Sequence, residues 1–496
     1  MITLGIDLGT SAVKAVLLED DRLLASATQS LSLSRPHPGW SEQDPADWWR
    51  ATCGCIDTLR AAQPTLFSAL RAIGLSGQMH GATLLGNDGR TLRPCMLWND
   101  GRSSTECAEL EARWPALRQV TGNPAMPGFT APKLLWVRKH EAGVFAQLHK
   151  VLLPKAWLAH QLTGEYVEEM SDASGTLWLD VAARRWSDAA LDACGLGLEH
   201  MPRLVEGNAV AAELRPEWVR RWGLQHTPLV AGGAGDNAAG AVAVGAVHPG
   251  DAFVSLGTSG VLWATTERFA PQPDRAVHTF CHAVPDTWHQ MGVLLAAASC
   301  LGWWAQVTGL SEAQLLGELA AETKPELRRP ADGCWFAPYL SGERTPHNDV
   351  TVRGGFLGLE GGTRRVDMTR AVLEGVAYAL RDAQQALAAA GTQLSQADLL
   401  GGGARSPLWA QLLADVLGMT LHRVADAEVG CALGAARLAR MAAGADLSVA
   451  TRPRRLGSYE PNLDAAAFHH ERHTQWQRLY PLARDFARAP SAWRPS

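Results

Sequence analysis

The sequence predicts an α/β fold of two domains, and three observations support this prediction. The chain has 496 residues and a mass of 53.2 kDa, which is too long for a single hydrophobic core. Runs of β-favouring residues alternate with helical patterns, as expected when helices cover the strands of a sheet. The tetrapeptide Leu-Gly-Thr-Ser occurs twice, at residues 8–11 and 256–259, about half a chain apart.

The two copies of this tetrapeptide each predict a tight turn between two strands. Apolar or β-favouring runs flank them at residues 2–6, 13–18, 252–254 and 261–266. Glycine allows a tight turn, and the Thr-Ser pair offers hydroxyls and free N–H donors. Two facing hairpins of this kind can hold the phosphates of one nucleotide, although two unrelated turns would give the same repeat. Only the first copy follows an acid, Asp7, whereas the second follows Ser255.

Further strands and helices follow from the spacing of apolar residues. The strand-like runs lie at residues 72–76 and 229–231, and the helical patterns at 368–389, 408–417 and 432–443. The turn-rich segment His-Pro-Gly-Asp at residues 248–251 predicts a domain border. The expected domains are therefore residues 1–247 and 248–496.

Two glycine-rich segments stand where a predicted strand ends and a helix begins. The first, at residues 232–237, leads into a small-residue helix at residues 238–247. The second, at residues 401–404, precedes the helix that starts at residue 408. Such turns bring the backbone close to a ligand, and a helix N-terminus favours negative charge. No lysine follows a glycine, so a P-loop is excluded.

Asp236, in the first of these turns, has two possible roles. Aspartate is a preferred helix N-cap, which would make it structural. Alternatively, its carboxylate accepts the proton of a hydroxyl that attacks a phosphoryl group. A helix N-terminus should keep its pKa low, which suits a base poorly. In phosphoryl transfer, however, the base chiefly orients the hydroxyl and collects the proton late. The residues alone leave both roles open.

Composition argues against several classes of protein. A net charge of −5 without a basic run gives no sign of nucleic-acid or membrane-surface binding. No apolar run reaches the roughly 18 residues needed to span a bilayer, and Asp7 interrupts the first one, so we expect a cytoplasmic protein. Nine scattered cysteines without a Cys-x-x-Cys pair predict mostly buried free thiols. His469 and His473 have helical spacing but no obvious partner ligand, which predicts a solvated helix face.

Six motifs occur in order along most of the chain. They are GIDLGTS at residues 5–11, PHPGWSEQDP at 36–45, GQMHG at 77–81, LWNDGR at 97–102, GFTAPKLLW at 128–136 and YLSGERTPH at 339–347. Together they resemble the FGGY carbohydrate kinases of the sugar kinase, Hsp70 and actin superfamily, from residue 2 to about residue 445. The resemblance implies two actin-like (ribonuclease H-like) α/β domains flanking a nucleotide cleft. Residues 1–247 would carry the sugar site and the catalytic base, and residues 248–496 the second phosphate hairpin and the adenosine site.

The resemblance also implies roles for individual residues. Asp236 would be the catalytic base, and Asp7 would assist catalysis by holding Mg²⁺ through water, since this ion keeps several waters and bridges to phosphates. The sugar pocket would contain Met79, His80, Trp98, Asn99, Asp100, Asp236 and Asn237. The phosphates of ATP would contact Thr10, Ser11, Gly257 and Thr258, and its adenosine would contact Gly402, Gly403 and Ala404.

Several positions keep alternative roles within the resemblance. Asp100 could instead be a structural turn residue. Glu343 and Arg344 either shape the cleft or form an ion pair within their domain. The turn before Asp236 is one residue longer than in some relatives, which leaves the roles of its glycines open. Cys431 stands where relatives often carry Pro or Ala, and we interpret it as a small packing residue.

The activity implied by the resemblance is transfer of a phosphoryl group from ATP to the terminal hydroxyl of D-xylulose, giving D-xylulose 5-phosphate. Related kinases of ribulose, gluconate or glycerol are the nearest alternatives. A chaperone-type ATPase of the same superfamily would need no acceptor-hydroxyl base, and a pure sugar-binding protein would have no use for two phosphate hairpins. The sequence leaves the oligomeric state open, although dimers are common in this family.

Overall fold

Two mixed β-sheets flanked by helices form the framework of the computed structural model, which describes residues 1–322, 333–425 and 430–488. Each sheet has seven strands within these residues. Strands and helices alternate through both halves, so the predicted α/β class is confirmed. In this described part of the chain, no helix is long and apolar enough to cross a bilayer.

The strands of the first sheet come from the first half of the chain. In spatial order they are Val210–Glu213, Leu229–Ala231, Ala72–Gly77, Ile2–Leu8, Ala12–Glu19 and Arg22–Ser30, with Ala234–Gly235 also paired to Ala72–Gly77. The second sheet comes from the second half of the chain. Its order is His278–Cys281, Trp288–Leu294, Gly260–Thr266, Ala252–Leu256, Gln396–Leu400, Thr420–Val424 and Arg455–Tyr459.

The two sheets repeat one pattern of strand directions. Ile2–Leu8 and Ala252–Leu256 hold equivalent central positions, each antiparallel to the strand after its Leu-Gly-Thr-Ser turn and parallel to a later strand. Leu8 lies opposite Val13 in the first hairpin, and Leu256 opposite Gly260 in the second. The prediction of two equivalent hairpins is therefore confirmed. Burial of both central strands fits their continuous apolar sequences.

Helices cover both sheets. In the first half they are Pro45–Ala62, Pro64–Ser68, Ser104–Arg113, Leu117–Thr121, Thr130–His140, Ala142–Phe145, Pro154–Thr163, Met170–Ser174, Asp188–Cys194, Pro216–Trp222 and Asp236–Ala243. In the second half they are Ala298–Thr308, Glu312–Ala321, Arg365–Ala389, Pro407–Leu417, Gly430–Ala442, Leu463–Trp476 and Leu479–Arg488. The helices predicted near residues 238, 368, 408 and 432 are confirmed. Short strand pairs complete the described structure: Glu42–Gln43 with Cys95–Met96, Thr83–Leu85 with Lys150–Leu152, Val167–Glu169 with Arg203–Val205, Leu179–Asp180 with Arg185–Trp186, and Trp335–Ala337 with Gly355–Leu357.

The helix Gly430–Ala442 joins the two halves of the molecule. It follows the strand Thr420–Val424 of the second sheet, yet it packs on Ile2–Leu8 and Ala72–Gly77 of the first. It also packs along the helix Asp236–Ala243. The predicted border near residue 248 therefore separates the two sheets, while one helix of the second half lies on the first sheet.

Glycines allow this helix to lie directly on neighbouring backbone. A Cβ atom on Gly5 would lie 2.0 Å from the carbonyl oxygen of Ala432, and one on Gly74 would lie 1.8 Å from that of Ala435. A Cβ on Gly434, within the helix, would lie 1.9 Å from the carbonyl oxygen of Ala239. Only glycine fits at these three positions, because any side chain would overlap a carbonyl group.

The C-terminal histidines do not form the predicted solvated face. His469 and His473 are buried against the helix Arg365–Ala389. The Nδ1 atom of His469 is 2.8 Å from the Tyr378 hydroxyl, and Nε2 of His473 is 2.9 Å from Asp382. That prediction was wrong because each ring has a hydrogen-bond partner on the facing helix, and a polar group with such a partner can be buried at little cost in free energy. The cysteine prediction is confirmed, since the nine thiols are free and six of them are buried.

We expect Gly74→Ala to destabilise the protein by about 1–3 kcal/mol or more, because the new methyl group overlaps the Ala435 carbonyl. Thermal unfolding of the ligand-free protein measures this loss. Gly143→Ala, in the helix Ala142–Phe145, is the matched control because its Cβ would have no neighbour within 4 Å. Equal unfolding temperatures for the two variants would contradict the close contact at Gly74.

Candidate active site

Three cavities lie around the second hairpin turn and the helix of Asp236, and two of them have walls from both halves. The largest, about 1060 Å³, is lined by residues of the second half, including Gly257, Thr258, Ser299, Leu316, Gly402 and Leu408. The smallest of the three, about 350 Å³ and named here the smaller cavity, has walls from both halves, including Met79, His80, Trp98, Asp236, His278 and Arg344. A third, about 410 Å³, is lined by Asp236, Gly240, Ser255, Gly401 and Cys431 among others. Asp236 lines both smaller cavities, so it stands where they meet.

The larger cavity has the features of a nucleotide site. Gly257 and Thr258 lie in the second hairpin turn, and the Thr258 carbonyl accepts hydrogen bonds from Ala297 N at 2.9 Å and Ser299 Oγ at 2.7 Å. A Cβ on Gly402 would meet no atom within 4 Å, so this glycine leaves open space on the cavity wall. Four of the five residues predicted for this side line the cavity: Gly257, Thr258, Gly402 and Gly403.

Ala404 lies differently from the other predicted nucleotide residues. It is 3% exposed and belongs to the hydrophobic core of the second half, so it supports the glycine turn from beneath. Gly403 has its own steric reason to lack a side chain, because a Cβ there would lie 2.6 Å from Leu256. The short 3₁₀ turn Gly402–Arg405 then leads directly into the helix Pro407–Leu417.

The first hairpin turn is tied to the sugar-side motifs. The Thr10 hydroxyl accepts a hydrogen bond from Trp98 Nε1 at 3.0 Å and donates one to Gln78 Oε1 at 3.1 Å. The Thr10 carbonyl accepts from Gln43 Nε2 at 2.7 Å. Ser11 is exposed beside it. These bonds connect four of the sequence motifs around one turn, which explains why they occur together.

Asp7 and Asp236 bring two carboxylates to the cleft. Asp7 lies on the strand Ile2–Leu8, and its Oδ1 accepts a hydrogen bond of 2.9 Å from Ser76. Asp236 is the first residue of its helix, and the N-cap position belongs to Gly235. The N-cap role considered for Asp236 is therefore wrong. Its Oδ1 accepts from the backbone N–H of Asn237 at 2.7 Å and from its Nδ2 at 2.9 Å.

Burial outweighs the helix N-terminus in setting the acidity of Asp236. Desolvation and then the negative charge of Asp7 raise the pKa of Asp236 to about 7, although the hydrogen bonds from Asn237 oppose this rise. Desolvation also raises the pKa of Asp7, against the Ser76 hydrogen bond and the charge of Lys14. The low pKa expected from the helix terminus is thus not found. A pKa near neutrality suits a general base.

The turn that carries Asp236 rests on a buried ionic network that the sequence motifs did not reveal. Glu169 Oε1 accepts a 3.1 Å hydrogen bond from Gly235 N. Lys155 Nζ donates to Glu168 Oε1 at 2.5 Å and lies 3.4 Å from the Gly232 carbonyl oxygen. The adjacent acids Glu168 and Glu169, followed by Asp172, were the available signal.

This network also settles what the acids near the turn can bind. Glu168, Glu169 and Asp172 have their carboxylate oxygens close enough for a metal ion, and within the described residues no other cluster of His, Cys, Asp and Glu meets that spacing. The Lys155 ammonium already lies against all three, at 2.5, 3.6 and 3.8 Å. Because a charged amine fills the position of a cation, this cluster is structural.

The backbone conformation at Gly233, three residues before Asp236, requires glycine. Gly233 has φ +77°, and a Cβ there would lie 2.1 Å from the carbonyl oxygen of Leu75. Gly235 is constrained by a side chain instead, since a Cβ would lie 2.9 Å from Met79. These two glycines therefore allow the backbone before Asp236 to pass close to Leu75 and Met79, next to the smaller cavity.

The smaller cavity contains five of the predicted sugar-site residues: Met79, His80, Trp98, Asp236 and Asn237. Asn99 is exposed and Asp100 is buried, and neither lines this cavity. The Asp100 carboxylate accepts from Ser41 N at 2.7 Å and from Arg102 Nη2 at 2.7 Å. These bonds favour the structural alternative for Asp100, since its carboxylate is used within the protein.

His80 is held in one tautomer by its surroundings. Its backbone adopts φ 71°, and its Nδ1 lies 2.9 Å from the carbonyl oxygen of Gly175. A carbonyl only accepts hydrogen bonds, so Nδ1 carries the proton and Nε2 is left as an acceptor. Burial and then the charge of Lys133 lower the pKa of His80 to about 3, which keeps the ring neutral. A Cβ on Gly175 would lie 2.4 Å from the ring, so glycine is required there.

The second half supplies cavity residues that lie far from the sugar-side motifs in sequence. Those from the second half are Ser259, Val261, His278, Phe280, Met291, Val293, Leu295 and Arg344, and the first half adds Met126, Gly128 and Phe129. Among these, Gly128, Phe129 and Arg344 belong to two of the six sequence motifs. The ion pair considered for Glu343 and Arg344 does not form: Glu343 Oε1 accepts instead from Leu295 N at 3.1 Å and Arg344 N at 2.7 Å.

Cys431 lies on the floor of the cleft beside the predicted base. Its Sγ donates a 3.2 Å hydrogen bond to the carbonyl oxygen of Asp236. It is half-buried at the start of the helix Gly430–Ala442 and lines the third cavity. Desolvation raises the pKa of this thiol well above its usual range, so it remains protonated at neutral pH.

Comparisons with known proteins agree with this architecture. Residues 2–243 match the model of the N-terminal domain of the FGGY family of carbohydrate kinases, and residues 252–443 match that of its C-terminal domain. Xylulose kinase from Escherichia coli (strain K12) is 50% identical over 481 residues, covering 96% of this chain and 98% of the relative. Xylulose kinase from Klebsiella pneumoniae is 52% identical over 440 residues, covering 88% and 89%.

A solved structure shows the same fold. The crystal structure of a xyloylose kinase from Brucella ovis has a TM-score of 0.94 with this chain at 50% sequence identity. The match covers 98% of this chain and 100% of that one. The predicted α/β fold of two actin-like domains is therefore confirmed.

We expect the Asp236 carboxyl to titrate with a pKa of about 7 in metal-free protein. Asp7→Asn removes the neighbouring negative charge and should lower that pKa, because the ionised form of Asp236 then loses a repulsion. Carboxyl-¹³C NMR of labelled aspartate measures both values, with the signal assigned by its loss in Asp236→Asn. Titration near the ordinary aspartate pKa of about 3.9 would contradict the burial argument.

We expect Gly402→Val to weaken binding of a non-hydrolysable ATP analogue by about tenfold or more, which is about 1.4 kcal/mol. The side chain would enter the open space on the cavity wall and leave the fold intact, since a Cβ there meets no atom within 4 Å. Calorimetric titration measures the affinity. Gly361→Val, at another open position, is the control; equal affinities for the two variants would contradict the assignment of this cavity to the nucleotide.

Proposed function

This chain belongs to the FGGY family of carbohydrate kinases, and from that premise we propose that it transfers the γ-phosphoryl group of ATP to the terminal hydroxyl of D-xylulose. The product would be D-xylulose 5-phosphate. The relatives from Escherichia coli and Klebsiella pneumoniae, both described as xylulose kinases, support the choice of sugar. The observation that carries the proposal is Asp236, a carboxylate of raised pKa that lines the sugar-sized cavity beside Asp7.

Asp236 would orient the attacking hydroxyl and accept its proton. With a pKa of about 7, a substantial fraction of this carboxyl is ionised at neutral pH and its conjugate acid is weak enough to hold a proton. One oxygen is fixed by two hydrogen bonds from Asn237, which leaves the other for the hydroxyl. A loose transition state places little demand on the strength of the base and more on its position.

The smaller cavity suits a five-carbon sugar. Its volume of about 350 Å³ and its apolar walls of Met, Phe and Val side chains would exclude water from around the acceptor hydroxyl. The Nε2 atom of His80 would accept a hydrogen bond from a sugar hydroxyl, because its Nδ1 is committed to Gly175. Since both halves supply walls, a closed cleft is needed to complete the pocket.

The residues at the first hairpin fit a magnesium ion. Asp7 offers a half-buried carboxylate with one oxygen bonded to Ser76, while the other has no hydrogen-bond partner within the described residues. A single carboxylate with room for water is typical of Mg²⁺ sites that also use substrate phosphates. When bound, the ion would neutralise charge on the phosphates. Asp7 would hold it, and the turns around Thr10 and Thr258 would hold the phosphates from both sides.

We expect Asp236→Asn to lower kcat for D-xylulose by about 10²–10⁴-fold, because the amide cannot accept the hydroxyl proton. Binding of D-xylulose should persist, since the size and shape of the side chain are kept. A coupled assay of ADP release measures turnover, and calorimetry measures binding. Asp188→Asn makes the same change at the first residue of another helix, where the side chain is exposed, and should leave both values unchanged.

A panel of acceptors tests the choice of sugar in the same assay. ADP release that depends on D-xylulose supports the proposal. Faster release with ribulose, gluconate or glycerol would identify that compound as the preferred substrate instead. Release at the same rate without any acceptor would identify an ATPase. A wild-type rate for Asp236→Asn would contradict the role of this residue as the base.

A further inference from the structure

We propose that Arg344 binds the carbonyl oxygen of the ketose, at the end of the sugar remote from the hydroxyl that is phosphorylated. This inference rests on the proposed function and adds a residue that selects ketoses over polyols. Four lines of evidence support it: the position of the guanidinium, its lack of an acidic partner, the acceptors beside it, and the way its backbone is held.

The polar residues of the smaller cavity form two separate groups. Asp236 and Asn237 are hydrogen-bonded to each other, and the pKa of Asp236 responds, besides burial, to Asp7 and Asn237. His80 and His278 belong to the second group, because the charge of Arg344 lowers the pKa of both rings in addition to burial. Arg344 contacts Met126, three residues before Phe129 in the cavity wall, which places its guanidinium on the side of the histidines.

The two histidines are also linked through one aromatic ring. The ring of Phe129 lies 4.7 Å from that of His80 and 5.8 Å from that of His278, centroid to centroid. A sugar that places its terminal hydroxyl at Asp236 would thus extend its other end toward His80, His278 and Arg344.

The guanidinium of Arg344 lacks an acidic partner among the described residues. Its Nη1 donates to Asn348 Oδ1 at 3.0 Å and also contacts the sulfur of Met126. Within the same described ranges, Nε and Nη2 have no hydrogen-bond partner, and no carboxylate lies within 4.0 Å. A half-buried cation with two donor nitrogens available, Nε and Nη2, is suited to a ligand oxygen.

The neighbouring histidines present the opposite hydrogen-bonding character. Asn123 donates from Nδ2 to the carbonyls of Thr121 and Thr279, so its Oδ1 accepts from His278 Nδ1 at 2.8 Å. His278, like His80, is thereby left with an unprotonated Nε2. A donor-only guanidinium beside acceptor-only nitrogens complements a carbonyl group with hydroxyls next to it, which is the pattern of a ketose end.

The backbone around Arg344 is fixed to the cavity wall. Glu343 accepts from the backbone N–H of Arg344 and of Leu295. Thr345 N donates to the Val293 carbonyl at 2.9 Å, and Val293 N donates back to Thr345 Oγ1 at 3.0 Å. The guanidinium is therefore presented from a rigid segment, which favours a positioning of its donors that is precise enough to distinguish ligands.

Binding of the carbonyl would also keep the acceptor hydroxyl free. In a five-carbon ketose the terminal hydroxyl can add to the carbonyl carbon, which closes a ring and removes that hydroxyl as a phosphoryl acceptor. Hydrogen bonds from Arg344 to the carbonyl oxygen would hold the open form, with the terminal hydroxyl available to Asp236. The same guanidinium would thus affect both sugar choice and sugar form.

The test compares Arg344→Met with the wild type for binding of D-xylulose and of D-arabinitol, which carries a hydroxyl in place of the carbonyl. We expect the Kd for D-xylulose to rise about 10–100-fold, as for loss of a hydrogen bond from a charged group. The Kd for the pentitol should rise by less than about threefold, and the KM for ATP should stay constant. Arg353→Met, in the same loop but exposed and bonded only to backbone carbonyls of the described residues, is the matched control.

Three results would overturn the proposal: an unchanged Kd for D-xylulose, an equal loss for the pentitol, or the same loss in Arg353→Met. A stronger wild-type affinity for D-xylonate than for D-xylulose, lost in Arg344→Met, would assign the guanidinium to a carboxylate instead. If the pentitol does not bind to the wild type, the proposal is tested by the Kd for D-xylulose alone, compared between Arg344→Met and the control Arg353→Met. Failure of the wild type to phosphorylate D-xylulose at all would count against the proposed function, not against binding by Arg344.

Discussion

Direct contact between backbones, made possible by three glycines, is the constraint on which the rest of the structure depends. Gly5 and Gly74 allow the helix Gly430–Ala442 to lie on the first sheet, and Gly434 allows it to lie on the helix of Asp236. This contact fixes where that helix of the second half lies on the first sheet and beside the helix of Asp236.

The chemistry of the cleft follows from which charges are compensated in this fixed frame. The turn before Asp236 is anchored through Glu169 and Lys155, a buried pair that satisfies its own charges away from the cavity. In the part of the chain that the structure describes, neither Asp236 nor Asp7 forms an ion pair within 4.0 Å, and burial raises the pKa of each. These are the charges that we propose to contact ligands: the two carboxylates near the phosphates, and the guanidinium of Arg344 at the opposite end of the sugar cavity.

Much of this arrangement could be predicted from the sequence because its signals are local. The repeated Leu-Gly-Thr-Ser turns, the strands around them and the glycine turn that carries Asp236 are each contained in a few neighbouring residues. The place of His278 in the cavity wall could not be predicted, and a cleft role for Arg344 was one of two alternatives, since this wall arises from strands and a loop that meet only in three dimensions. His469 and His473 were misassigned for the same reason: their partners lie on another helix. The pKa of Asp236 depends on burial, which periodicity does not report.

The glycine contacts of the helix Gly430–Ala442 have a thermodynamic property that follows from their composition. The atoms in closest contact belong to Gly5, Gly74, Gly434 and alanines such as Ala239 and Ala435, which have no side-chain rotamers to lose. Ordering these residues therefore costs no side-chain entropy. The entropic cost of side-chain ordering between the halves falls instead on larger residues such as Leu438, Phe280 and Met291, which pack in one hydrophobic cluster with side chains of the first half.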